Sequence, residues 1–194
     1  MNQAPRGLLM HKVAVIVGSL RRESINLRLA RALIRLGEKR FDFHLVKLDD
    51  VPMYNDDYWA DPPASVTRLK ADIAAADAVL FVTPEYNRSI PALVKNTVDW
   101  GTRPRGQNSW GGKPAAIVGT SQGAIGTAVA QAQLRSILSA VGVILMGLPE
   151  VYLTYKPELI DEEFRITDES TAKFLSGFLD KFDAWIKRLK SPAT

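Results

Sequence analysis

The sequence alternates between short apolar segments, rich in β-branched residues, and longer segments in which apolar residues recur at helical spacing. Five segments have the character of buried strands: Lys12–Gly18, Phe41–Leu48, Ala78–Thr83, Pro114–Gly119 and Val143–Leu148, the last of which can continue through Val151–Leu153. Five have the character of helices: Ser24–Leu36, Ala64–Ala76, Pro91–Trp100, Thr127–Val141 and Asp168–Leu189. This alternation predicts an α/β fold in which helices cover both faces of a five-stranded parallel sheet.

The alternation continues without an interdomain linker or an internal repeat, which at 194 residues indicates one domain. We expect that domain to span residues 12–194, with residues 1–11 as an N-terminal extension. In open parallel sheets, ligands bind beyond the carboxyl ends of the strands. The functional residues are therefore expected in the loops after the first, third and fourth strands, at residues 18–27, 83–91 and 119–127.

The composition excludes several classes of chemistry. The chain has no Cys, so it has no cysteine nucleophile, disulfide or thiolate metal site. Its two histidines, His11 and His44, are too few for a histidine-rich metal site, and we expect no metal. The formal charge of +4 raises nucleic acid as a partner, but no basic stripe interleaved with aromatic residues supports one. No apolar run approaches the roughly 18 residues that span a membrane. The start of the chain lacks the apolar core of a secretion signal, so we expect a cytoplasmic protein.

The loop after the first predicted strand is polar and leads into a helix (GSLRRESIN, residues 18–26). A helix N-terminus offers free N–H groups and partial positive charge to an anion. Ser19, Ser24 and Asn26 add side-chain donors, and Arg21 adds a planar cation that suits phosphate. The pattern favours a cradle for one phosphate group, and the alternative is an N-cap at Ser24 flanked by solubilising arginines. It is neither G-x-G-x-x-G nor a P-loop, so neither a dinucleotide site nor a P-loop site is indicated.

The loop after the third predicted strand is bracketed by two prolines that fix its φ angles (PEYNRSIP, residues 84–91). Between the prolines, Glu85, Tyr86, Asn87 and Arg88 supply a carboxylate, a phenol, an amide and a guanidinium. This set suits a flat heteroaromatic ligand that needs hydrogen bonds along one edge. The alternative is a helix-capping turn with Ser89 as the N-cap, and the two interpretations are compatible.

The loop after the fourth predicted strand contains the nucleophile-elbow pattern G-x-S-x-G, from Gly119 through Ser121 to Gly123. A hydrolase of that fold needs a histidine that follows the serine, and both histidines precede Ser121. Gly119, Gly123 and Gly126 are better explained by close approach of the backbone to a ligand. A serine hydrolase that uses Ser121 is therefore the least favoured alternative.

Three segments together, GSLRRESIN, PEYNRSIP and KNTVDW (residues 95–100), resemble the NADPH-dependent FMN reductases of the flavodoxin-like superfamily. The resemblance runs from about residue 12 to residue 153. It implies a flavodoxin-like three-layer doubly wound sandwich with a parallel sheet in the order 2-1-3-4-5. It also implies an enzyme, an NAD(P)H-dependent oxidoreductase with non-covalent FMN. Such an enzyme reduces small acceptors such as quinones, azo dyes, chromate or free flavin by ping-pong hydride transfer.

The resemblance also implies the role of each loop, with the chemistry carried by FMN and no catalytic side chain. It places the FMN phosphate against Ser19, Arg21, Ser24, Ile25 and Asn26. It places the isoalloxazine edge against Pro84, Glu85, Tyr86 and Asn87, with Ser89 supporting the loop and with Ser121 and Gly123 closing over the other end. Arg22 and Arg88 are candidate contacts of NADPH, NADH or the acceptor, and a solvated surface position is the equal alternative for Arg88.

The family commonly assembles as dimers or dimers of dimers, so the resemblance implies a homodimer or homotetramer. The loop Pro52–Trp59 then either reaches a partner's flavin or covers its own sheet. The main alternative function is a flavodoxin-type electron carrier. Carriers of that kind are typically acidic, whereas this chain is basic, so the enzyme is favoured.

Overall fold

The computed structural model describes residues 10–190 and has alternating strands and helices. The strands are β1 (His11–Val17), β2 (Phe41–Leu45), β3 (Ala78–Val82), β4 (Pro114–Ser121), β5 (Ile144–Leu145) and β6 (Val151–Thr154). The helices are α1 (Ile25–Gly37), α2 (Ala64–Ala75), α3 (Ala92–Thr102), α4 (Ala128–Ala140) and α5 (Glu169–Lys190). Short 3-10 helices lie between β2 and α2 (Asp56–Ala60) and between β6 and α5 (Pro157–Leu159).

The described sheet is parallel throughout, in the order β2-β1-β3-β4-β5, with β6 also paired to β4. This order confirms the predicted flavodoxin-like α/β fold. The last strand differs from the prediction because it is divided: β5 pairs with the start of β4 and β6 pairs with its end. Gly147 and Pro149 lie between the two pieces, and Pro has no N–H to offer a ladder. The structure therefore has two strands, β5 and β6, where the sequence predicts one.

Alternate residues of the strands supply two separate cores, one on each face of the sheet. Val13 and Val15 of β1 pack with α1 and α5, whereas Ala14 and Ile16 pack with α2, α3 and α4. The strand β3 is buried along its whole length because helices cover both of its faces. Burying each large apolar side chain contributes about 1.5–3 kcal/mol, so the two cores fix the sheet in the middle of a three-layer sandwich.

The boundaries of the elements differ from prediction by a few residues. The strand β2 ends at Leu45, three residues before the predicted end, and β1 already includes His11. The predicted first strand therefore begins one residue earlier than expected. Most of the predicted extension, residues 1–9, lies outside the described residues, as do residues 191–194. Within residues 10–190, no helix is both long and apolar enough to span a bilayer.

Two glycines of the predicted elbow region serve internal packing rather than contact with a ligand. A Cβ at Gly119 would overlap Thr127 Oγ1 and the carbonyl oxygen of Thr83, so only glycine lets β4 approach both. Gly126 has a φ of +63° and lies against the main chain of Tyr152. Of the three glycines in this region, Gly123 alone faces open space: the nearest atom to a Cβ built there is Ser121 Oγ, at 3.8 Å.

Candidate functional site

The three loops that were expected to carry function converge on one cleft at the carboxyl ends of β1, β3 and β4. The cleft has a volume of about 150 Å³ and is lined by Ser19, Arg21, Ser24, Ile25, Asn26, Pro84, Glu85, Tyr86, Thr120, Ser121 and Gln122. A second cleft of about 280 Å³ shares Ser19 and Arg21 and extends to Arg22 and Asp49. Asn87, Ser89 and Gly123 are not among the residues that line either cleft.

The loop after β1 leads into the N-terminus of α1, where a phosphate cradle is predicted. Ser24 is the N-cap, and its Oγ accepts the N–H of Leu27 at 3.2 Å. The N–H groups of Ile25 and Asn26, which open the helix, have no acceptor among residues 10–190. Such free N–H groups, together with the positive end of the helix dipole, favour a phosphate. The capping interpretation of Ser24 is confirmed, and it is compatible with the phosphate interpretation of the loop, which stays a prediction.

The side chain of Asn26 is not available to a phosphate. It is buried, its Nδ2 donates to the carbonyl of Thr120 at 2.9 Å, and its Oδ1 accepts the N–H of Thr120 at 3.0 Å. The Asn26 side chain, which was expected to donate to a ligand, instead joins the loop after β1 to the end of β4. Asn26 offers the cleft only its main-chain N–H.

The loop after β3 is a tight two-residue turn. Tyr86 and Ser89 exchange main-chain hydrogen bonds at 3.0 Å in both directions. Between them Asn87 (φ 51°) and Arg88 (φ 64°) both occupy the left-handed region, the pattern of a type I′ turn. The suggestion that Ser89 caps the following helix is wrong, because Pro91 is the N-cap and makes no side-chain capping bond. Instead, Ser89 Oγ donates to Gln133 Oε1 at 2.7 Å.

Glu85 links this turn to α4. Its side chain is only 8% exposed, and Oε2 accepts the N–H of Ala130, in the first turn of α4, at 3.0 Å. A carboxylate at that position is favoured by the dipole of the helix. Glu85 Oε1 lies 3.2 Å from Nη1 of Arg88, whose own side chain is 65% exposed. Arg88 is therefore held at the rim of the cleft with most of its guanidinium open to solvent.

The loop after β4 lacks the machinery of a hydrolase. Ser121 Oγ donates to the carbonyls of Gly126 and Gly123, so its proton is directed at the main chain. His11 begins β1, at the opposite end of the sheet, and lies near Asp77 and Asp183. His44 is on β2 and lies 3.3 Å from Asp72. Neither histidine is placed to activate Ser121, which overturns the hydrolase alternative.

The aromatic residues of the Pro52–Trp59 loop pack on their own subunit. The rings of Tyr54 and Trp59 meet Trp100 of α3 edge to face, with centroids 4.8 and 5.3 Å apart. The Nε1 of Trp100 also donates to the carbonyl of Pro52 at 2.7 Å. These contacts favour the covering role for this loop.

Several residues of the site were not found from the sequence. Thr120 and Gln122 line the cleft beside Ser121. Gln133 contacts the turn after β3 from α4, and it is 45 positions from Arg88 in the chain. No local pattern indicates such a long-range pair, although the polar Gln133 on an amphipathic helix is a weak signal.

The doubly wound parallel sheet, with free helical N–H groups and a preorganised polar turn at its carboxyl edge, is an arrangement that can hold a flavin nucleotide. A model of the NADPH-dependent FMN reductase family matches residues 11–158. A 2-hydroxy-1,4-benzoquinone reductase from Burkholderia sp. is 48% identical over 176 residues, which are 91% of this chain and 96% of the relative. A quinone reductase from Escherichia coli (strain K12) is 35% identical over 183 residues, covering 92% of this chain and 97% of the relative.

Solved structures agree with these relatives. FerB from Paracoccus denitrificans, a flavoenzyme NAD(P)H:(acceptor) oxidoreductase, has a TM-score of 0.90 at 54% identity, covering 92% of this chain and 98% of that one. A flavodoxin from Pseudomonas aeruginosa shares the fold, with a TM-score of 0.54 at 19% identity, covering 91% of this chain and 99% of that one. The chain belongs to the NADPH-dependent FMN reductase family. It is an oxidoreductase that uses FMN and NAD(P)H, which decides against the electron-carrier alternative.

Proposed function

We propose that this chain reduces quinones and related small acceptors, such as azo dyes, chromate or free flavin, with electrons from NAD(P)H. The observation that carries the proposal is the cleft itself. Residues of the loop after β1 line it, with the free N–H groups of Ile25 and Asn26 and with Arg21, and so do Pro84, Glu85 and Tyr86 from the loop after β3. Bound FMN would supply the redox chemistry, which is hydride transfer from NAD(P)H and electron delivery to the acceptor. The protein therefore needs to bind and orient FMN and its two substrates, and it needs no nucleophile.

The phosphate of FMN is proposed to lie against the loop after β1. The donors would be the N–H groups of Ile25 and Asn26, the hydroxyls of Ser19 and Ser24, and the guanidinium of Arg21. The guanidinium of Arg21 forms no ion pair or hydrogen bond among residues 10–190, so its charge is available to a phosphate. Charge-assisted bonds of this kind are about twice as strong as neutral ones.

The isoalloxazine edge is proposed to lie against Pro84, Glu85, Tyr86 and Asn87. Tyr86 is 50% exposed beside the cleft, an open position for a flat aromatic ligand. Ser89 supports the turn from behind through Gln133. Ser121 and Gly123 would close over the other end, where Gly123 leaves room for a ligand.

The second substrate is proposed to meet positive charge at the rim. Arg22 lines the adjoining cleft, and the exposed guanidinium of Arg88 lies 3.2 Å from Glu85, which lines the main cleft. Both can attract the phosphates of NAD(P)H or an anionic acceptor. Tyr86, which lines the cleft, and Arg88, beside it, are both largely exposed, which suits an enzyme that admits two substrates in turn.

We further propose that the chain works as a homodimer or homotetramer in the cytoplasm. The support is the assembly that is common in the family, and the fact that cells hold NAD(P)H inside. Light scattering of the purified protein tests the oligomeric state, and cell fractionation tests the compartment.

An absorption spectrum tests the proposed function directly. The purified protein should show the absorbance of oxidised flavin and should bleach when NADPH or NADH is added without oxygen. Adding a quinone should then restore the colour. A colourless protein that FMN cannot reconstitute would overturn the proposal.

A further inference from the structure

The turn that carries the proposed ring contacts is held in place by a side chain of α4. Gln133 Nε2 donates to the carbonyl of Arg88 at 2.9 Å, and Gln133 Oε1 accepts from Ser89 Oγ at 2.7 Å. The carbonyl of Arg88 can only accept, so it fixes which end of the amide is the nitrogen. One side chain thus contacts two consecutive residues of the turn with both of its polar ends.

The turn needs such support because its own residues do not favour it. A type I′ turn requires positive φ at both central residues, and glycine is strongly preferred at the second. Here that position is Arg88, whose Cβ makes a φ of 64° unfavourable. The hydrogen bonds between Tyr86 and Ser89 close the turn, but they do not tie it to the rest of the protein.

Two sets of hydrogen bonds connect the turn to α4. One is the bond from the N–H of Ala130 to Glu85, just before the turn, and the other is the pair of bonds from Gln133. Residues held in the left-handed region persist where the surrounding structure determines them, and they cluster at functional sites. A guanidinium that is 65% exposed has no packing role of its own, so the strained position is not explained by the core.

We propose that Gln133 is a positioning residue, which keeps the Asn87–Arg88 turn in its left-handed conformation and thereby sets the affinity for FMN. The inference rests on the proposed site, in which this turn carries the ring contacts. Gln133 itself lines neither cleft, so it acts through the turn and not by touching the flavin.

Replacement of Gln133 tests this role. Gln133→Leu removes both bonds, and we expect the dissociation constant for FMN to rise about tenfold, with a change in the visible circular dichroism of bound flavin. Gln133→Glu keeps an acceptor for Ser89 but sets a carboxylate oxygen against the carbonyl of Arg88, so it should also weaken FMN binding. Ser136→Leu is the matched control, because Ser136 is exposed on the same helix and its side chain makes no hydrogen bond among the described residues.

A rescue experiment separates positioning of the turn from a general effect on α4. Arg88→Gly and Arg88→Ala both remove the guanidinium, but only glycine accepts a φ near +64° without strain. Each is combined with Gln133→Leu, and FMN affinity is measured by quenching of flavin fluorescence. The glycine double variant should recover most of the lost affinity, whereas the alanine double variant should recover none.

The possible outcomes separate the inference from the proposed function. If the wild type fails to bind FMN, the proposed function falls and the inference falls with it. If the wild type binds FMN and Gln133→Leu binds it equally well, only the inference is overturned. Equal rescue by glycine and alanine would also overturn it, because relief of strain would then play no part. Thermal unfolding of each flavin-free variant shows whether it is folded, and Gln133→Glu serves if Gln133→Leu is not.

Discussion

The side-chain amide of Asn26 pairs with both main-chain groups of Thr120, a residue 94 positions further along the chain. The pairing imitates one step of a β ladder at the point where β4 leaves the sheet. It joins the loop that would hold a phosphate to the loop that would cover the flavin, inside a buried region. The two loops are therefore fixed relative to one another before any ligand binds.

Asn26→Ala should destabilise the fold more than an ordinary surface substitution does. It leaves the N–H and the carbonyl of Thr120 buried without partners, and each such loss costs about 1–3 kcal/mol. We expect the free energy of unfolding, measured with urea, to fall by about 2–4 kcal/mol. Gln107→Ala, at an exposed side-chain amide that makes no hydrogen bond among the described residues, is the control and should change it by less than about 1 kcal/mol. An equal effect at both positions would contradict a structural role for the Asn26 pair.

Arg21→Ala should weaken binding of FMN without weakening binding of riboflavin, which lacks the phosphate. Loss of a charge-assisted bond of about 1.5–3 kcal/mol corresponds to roughly a tenfold to hundredfold rise in the dissociation constant. Titration of flavin-free protein, followed by fluorescence, gives both constants. Arg35→Ala, in the last turn of α1, is the control for loss of one positive charge. A parallel loss of riboflavin affinity would show that Arg21 does not contact the phosphate.

Two glycine-to-alanine substitutions should have opposite effects on stability. At Gly119 the new methyl group would overlap Thr83 and Thr127, and overpacking costs about 1–3 kcal/mol. At Gly177, inside α5, no atom lies within 4 Å of the new Cβ, and alanine should stabilise the helix by about 0.5–1 kcal/mol. Urea unfolding of the two variants checks both signs, and a stable Gly119→Ala variant would refute the close approach.

Asp168 should contribute a pH-dependent part of the stability at low pH. Its Oδ1 accepts from the N–H of Thr171 and the hydroxyl of Ser170 at the start of α5, which lowers its pKa from 3.8 to about 2. A lowered folded-state pKa means that the stabilisation is complete above the unfolded value and is lost as the pH falls through about 2. The difference in unfolding free energy between wild type and Asp168→Asn should therefore shrink between about pH 5 and pH 2. Urea midpoints across that range measure it, and a constant difference would argue against the capping bonds.

A fluorophosphonate probe should leave Ser121 unmodified. The hydroxyl donates to two main-chain carbonyls, and no histidine is near enough to take its proton. Mass spectrometry of the treated protein should give the unmodified mass, with quinone reduction at its original rate. A covalent adduct on Ser121 would restore the hydrolase interpretation.

The fold could be predicted from the sequence because each strand and helix has its own local pattern of apolar residues. The residues of β1 alternate between two cores, and the pattern of apolar residues in KVAVIVG already requires burial on both faces. The division of the last strand could also be anticipated, since Gly147 and Pro149 interrupt its apolar run. The sequence did not indicate that β5 and β6 would both pair with β4.

The sequence predicted where the candidate site lies, but not which partners its polar groups have. The rule that ligands bind beyond the carboxyl ends of the strands selected the three loops that converge. The use of each polar group was not predictable, because it depends on partners far away in the chain. Asn26 is bound to Thr120, Glu85 to Ala130 and Ser89 to Gln133, and none of these pairs leaves a local signal.

The divided strand has a consequence for how the protein behaves at high concentration. An uninterrupted strand at the edge of a sheet is a template on which other chains can aggregate. Here that edge offers only two residues of β5 and four of β6, separated by a proline. Trp185 of α5 also donates to the carbonyl of Ile144 at 3.0 Å, which occupies one acceptor of β5. The break therefore leaves this edge without an uninterrupted strand on which another chain could pair, and a substitution that made β5 and β6 continuous would supply one.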